Sequence, residues 1–193
     1  RGLRLKLSDK KSGAQYSGYT KDYLAVDQIR DIYVYDAEQT TVVMGKKVAQ
    51  NEDAVFEDDV VFYSLKNFAI TYDYYRNKLQ RDSFDGVGGR IVVYANFRDK
   101  AEEEWCNAAY YPGSTDFRVG SGKDGGFAKG LDIMGHEFTH GVMHHRALIL
   151  YDRKDAQAIN EAYADILGCL IEAQEMQKEE WWIQGDSYRA GGS

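Results

Sequence analysis

The residues with the most chemistry to offer lie together at His136-Glu137-Phe138-Thr139-His140. A helix turns about 100° per residue, so side chains four apart share a face. On a helix, His136 and His140 can present two imidazoles to one metal ion, and Glu137 projects beside them where it can polarise a water held by that metal. Leu131, Ile133, Met134, Phe138, Val142 and Met143 flank the motif and suit a helix packed inside a protein, one that begins near Leu131. The competing reading is a surface helix carrying two histidines by chance, and the stretch downstream weighs against it.

That stretch runs from Ile159 to Glu172. Ile159, Ala162, Tyr163, Ile166, Leu167, Leu170 and Ile171 recur at helical spacing, which predicts an amphipathic helix. Glu161, Asp165, Gly168 and Glu172 form a second stripe on the same helix. One reading of that stripe is a solvated acidic face. The other is that it faces the histidine helix, with Glu161 as third ligand and Asp165 bonded to a ligating histidine, because a metal-bound imidazole donates its other N–H to such a partner. Gly168, lacking a side chain, would then let the helices approach closely.

The two stretches together resemble the thermolysin-like zinc endopeptidases, whose pattern is His-Glu-x-x-His, a loop, then Asn-Glu-Ala-x-x-Asp. The second half stands here as Asn160-Glu161-Ala162-Tyr163-Ala164-Asp165. The interval from His140 to Glu161 is one residue longer than usual in that family, and the loop from Asp152 to Gln157 can absorb it cheaply. Ile32 to Ala37, Thr71 to Tyr75 and Asp85-Gly86 extend the likeness, which covers about residues 30 to 186. The resemblance implies zinc on His136, His140 and Glu161, Glu137 as the proton acceptor, and Asn160 and Asp165 supporting the ligands. It puts Tyr151 opposite the developing oxyanion, and Asn107 with the Ala108 carbonyl on the peptide substrate. It also implies a calcium site on Asp132, Glu172 and Asp186, since hard oxygen donors fit that ion; an ordinary helix cap at Asp132 with solvated carboxylates is the competing reading. The family's second, helical lobe has no counterpart before Ser193, so the resemblance implies the N-terminal part of a longer secreted peptidase. The alternative is a non-catalytic, zinc-stabilised binding domain, or an inactive fragment.

The expected fold is α+β: a β-rich lobe over residues 1–130 with one long helix and a substrate-edge strand, then zinc-site helices over 131–193. Strands are expected around Leu3-Leu5-Leu7, Ile32-Val34, Arg90–Phe97 and Phe117–Val119, and an edge strand near Asn107–Tyr111 before the Pro112-Gly113 turn. Asn51–Asp59 reads as an acidic loop and Val60–Arg76 as a long helix. His144 lies two turns beyond His136, about 12 Å along the axis, too far for one ion to reach both. Met143 and Arg146 stand where the metzincins need glycine and a third histidine, which excludes that family and leaves His144 and His145 as surface residues. The zinc aminopeptidases remain a distant alternative.

The net charge of −7 argues against a nucleic-acid partner. No apolar run reaches the eighteen residues of a membrane span. Cys106 and Cys169 make no disulfide framework, and Cys169 reads as a buried thiol.

Overall fold

The structure is a computed structural model that describes residues 3–4, 25–38, 41, 46–47, 55–56, 58–99, 104–122, 126–147, 154–177 and 185. Tyr151 and Asp186 lie outside the described residues, as do most of the expected strand around Leu5 and Leu7 and the acidic loop at 51–54. The architecture is α+β. Its strands are β1 (Leu3–Arg4), β2 (Ala25–Asp27), β3 (Ile32–Asp36), β4 (Lys46–Lys47), β5 (Val55–Phe56), β6 (Ile91–Ala95), β7 (Ala108–Tyr111) and β8 (Asp116–Val119). Its helices are α1 (Asp59–Leu79), α2 (Gly126–Lys129), α3 (Leu131–Ala147) and α4 (Lys154–Met176).

The main sheet is mixed, in the order β2-β3-β6-β8-β7, with β4 also pairing β3. β3, β6 and β8 run parallel; β2 and β7 are antiparallel to their neighbours. Period-two alternation puts Ile32 and Val34 of β3, and Ile91, Val93 and Ala95 of β6, on one buried face against the helices. The stretch expected as an acidic loop is partly ordered otherwise: Val55–Phe56 pairs with Leu3–Arg4, and Asp58 caps the long helix. Its carboxylate accepts the Val61 N–H at 3.0 Å, one of the orphan donors at a helix start. Gln80, at φ 52°, turns the chain out of α1.

One core joins sheet and helices. Phe68, Tyr75, Phe84, Phe117 and Phe138 interlock beneath the sheet, with Phe68 4.7 Å from Phe117 and Tyr75 5.0 Å from Phe138. α3 and α4 cross at two glycines. A Cβ on Gly168 would lie 2.3 Å from the Asp132 carbonyl oxygen, and one on Gly135 would lie 3.1 Å from the Gly168 Cα.

α4 does not bury its apolar stripe as a unit. Ile171 is fully buried, whereas Ile159, Tyr163 and Ile166 are about half exposed, at 52, 53 and 49 %. The face turned inward carries Asn160, Ala164, Gly168 and Glu172, and the close approach of α4 to α3 leaves no room for a Cβ at Gly168.

Candidate metal centre

α3 supplies the two histidines one turn apart. Their Nε2 atoms lie 2.8 Å from each other, with the rings edge to face at 4.5 Å between centroids. α4 brings the Glu161 carboxylate to 3.4 Å from the His136 Nε2 and 3.6 Å from the His140 Nε2. These three donor atoms all lie within 4.8 Å of one another, and they form the single such cluster among the described residues. Tetrahedral zinc with bonds of about 2.0–2.1 Å sets its donors about 3.3 Å apart. The two carboxylate distances fit that figure, and the imidazole pair needs to open by about half an ångström. Two imidazoles and one carboxylate, with a fourth position left over, make a donor set suited to zinc.

The two rings are held differently. His136 Nδ1 lies 2.9 Å from the Asp165 carboxylate. Nδ1 of His140 is buried with no hydrogen-bond partner among the described residues. Burial and the neighbouring His136 hold the His140 pKa below its usual value, against the pull of Glu161 and of the buried Asn160 carboxamide. A depressed pKa keeps the ring neutral, as a ligand must be.

Glu137 is buried, and its Oε2 accepts the backbone N–H of Tyr110 at 2.8 Å. Burial pushes its pKa up to about 8, against the pull of that N–H and with a further push from the charge of Glu161. Glu137 is thereby tied to β7, the last strand of the main sheet among the described residues. Asn107 is exposed just before β7, and its carbonyl accepts from Gly120 at 2.9 Å; Ala108 opens the strand, buried and paired with Val119.

Asp132 and Glu172, the tentative calcium residues, are both buried. The Asp132 carboxylate accepts the Ile133 N–H at 2.8 Å and the Gly185 N–H. His144 is half-buried against Tyr110, 5.9 Å between rings, and the exposed His145 places Nδ1 3.0 Å from the Gly141 carbonyl; neither joins the donor cluster. No disulfide joins Cys106, which is exposed, to Cys169, which is buried.

Sequence reasoning missed the Tyr110 N–H, which leaves no mark in side-chain types. It also missed Gly135, although a glycine inside a helix costs about 1 kcal/mol against alanine and calls for a packing reason.

A helix with two histidines one turn apart, a carboxylate from the next helix and a mixed sheet edged by a free strand define a metal site of the His-Glu-x-x-His class. Residues 5–144 match the thermolysin metallopeptidase catalytic domain, and the chain belongs to that family. It is 33% identical over 184 residues to a bacillolysin of Bacillus caldolyticus, covering 91% of this chain and 32% of that protein. It is 29% identical over 163 residues to protease PrtS of Photorhabdus sp. (strain Az29), covering 82% and 43%. Among solved structures, the precursor of protealysin, a metalloproteinase from Serratia proteamaculans, superposes with a TM-score of 0.66 at 27% identity, covering 76% of this chain and 44% of that one. The chain thus spans about a third of the length of the bacillolysin it matches.

Proposed function

We propose that this chain carries the catalytic metal site of a secreted zinc endopeptidase acting on extended peptide segments, completed by a helical lobe from the rest of a longer protein. The observation that carries this reading is the Tyr110–Glu137 contact, which joins a proton acceptor, a metal donor set and an open strand edge within a few ångströms. His136, His140 and Glu161 would hold the zinc, with Asp165 and Asn160 orienting the rings. Bound there, zinc acts as a Lewis acid that lowers the pKa of a water and polarises a peptide carbonyl. Glu137 takes the proton of the attacking water on its carboxylate and passes it to the leaving amine. Burial favours the protonated form of Glu137, and a cation held by the neighbouring donors would favour the ionised form that this step needs.

The edge strand has the geometry to pair with a peptide. Asn107 and Tyr111 direct their carbonyls to Gly120 and Thr115 on the β8 side. Backbone groups alternate along a strand, so those of Ala108 point to the open edge. An extended peptide can add there as a further strand, with the Asn107 side chain beside it. Tyr151 serves as donor to the oxyanion in this proposal. The buried carboxylates of Asp132 and Glu172, with Asp186, are the proposed calcium ligands. The half-exposed Ile159, Tyr163 and Ile166 support a covering lobe, as an apolar helix face needs a partner. No helix among the described residues is long and apolar enough to cross a membrane.

Metal analysis with a casein-digestion assay tests the reading. Glu137→Ala should retain zinc and lose cleavage; a fully active variant would sink it. Extending the chain by the helical lobe should raise the cleavage rate, and equal rates would refute a role for that lobe.

A further inference from the structure

α1 packs against the metal helix α3 beside α4. The Tyr75 and Thr139 hydroxyls lie 2.7 Å apart, and Thr139 Oγ1 lies 2.7 Å from the Gly135 carbonyl oxygen. A carbonyl only accepts, so the single hydroxyl proton of Thr139 goes to Gly135. Tyr75 must therefore be the donor to Thr139. Both side chains are buried, at 1 % and 0 % exposure, so the chain of hydroxyls has no water to replace it. Most polar groups buried this deeply are hydrogen-bonded, and bonds in series polarise one another.

The turn they grip runs from Gly135 to Thr139. It carries His136 and leads straight into His140. The same turn meets Gly168 of α4 at Gly135. The Glu161 and Asp165 side chains are 60 and 50 % exposed, so they reach the rings by polar contact and not by packing. The direction from which the rings start is set by the backbone of α3. Asn67, two turns earlier on α1, holds the lead-in to α3 by donating to the Ala128 carbonyl at 2.7 Å.

We infer that Tyr75 is a positioning residue of the metal site: through Thr139 it fixes the rotation of the α3 turn that aims His136 and His140 at Glu161. The inference rests on the zinc reading above. A ring serving only as packing against Phe138 would do as well without its hydroxyl.

The test is Tyr75→Phe in the 193-residue chain. Zinc affinity is measured on folded protein by competition with a chromophoric chelator, and site geometry is read from the visible spectrum of the cobalt-loaded chain. Supporting partners of metal ligands are worth about 10- to 100-fold in affinity, so one step further out the expected loss is about 3- to 10-fold, with altered cobalt bands. Thr139→Val should show the same loss, the double variant no more than either single one, and Thr139→Ser should restore wild-type values. Unchanged zinc affinity and cobalt spectrum in Tyr75→Phe overturn the inference, whatever happens to its Tm. If Tyr75→Phe does not fold, Thr139→Val with wild-type zinc affinity overturns it instead. A wild-type chain that takes up no zinc sinks the metal reading and this inference with it; normal zinc binding in both proteins sinks the inference alone.

Discussion

His136 and His140 share a helix face, yet they are held differently. His136 leans on Asp165, whose carboxylate is half exposed, whereas the His140 pKa is lowered by burial and by the neighbouring His136. Removing the Asp165 support should loosen the ion without unfolding the chain. Asp165→Ala is expected to weaken zinc binding by about 10- to 100-fold, read by chelator competition. Glu161→Gln removes a ligand charge and should weaken it more. The donor residues were legible because helical spacing and ligand chemistry are both local properties of sequence. Tyr110 and Tyr75 were not, because their parts depend on which strand and which helix fold back onto α3.

At the scale of elements, the close crossing of α3 and α4 decides whether the donors meet. A methyl at Gly168 collides with the backbone at Asp132, which cannot move aside cheaply, so Gly168→Ala should cost about 3 kcal/mol or more and reduce zinc occupancy. A methyl at Gly135 meets the end of the Ile171 side chain at 3.0 Å, which can swing, although the Gly168 Cα stands almost as close; Gly135→Ala should cost less. Denaturant titration of the two variants orders them. Gly168 as the point of approach was readable from its place on the acidic stripe. The outward turn of Ile159, Tyr163 and Ile166 was not, because periodicity reports that a helix has two faces and not which one this chain covers. The long helix α1 was expected over Val60–Arg76 of its Asp59–Leu79 span, since its apolar residues hold helical spacing.

Across the whole molecule, the site couples to stability because sheet, α1 and both metal helices share one core. Stripping the ion with a chelator should lower Tm, and restoring zinc at a hundred times its dissociation constant should return about 2.7 kcal/mol, seen as a concentration-dependent melting curve. A Tm indifferent to zinc would count against the site. The individual strands β3, β6 and β8 were visible as alternating apolar runs, but their parallel order was not, since strand neighbours are set by crossovers that leave no local signature.

The amide of Tyr110 is already engaged by the side chain of Glu137. A peptide laid along β7 would therefore find a ladder with one rung occupied. At that rung its own backbone would come up against a carboxylate instead of a donor, so seating the chain and bringing it to Glu137 would become a single event.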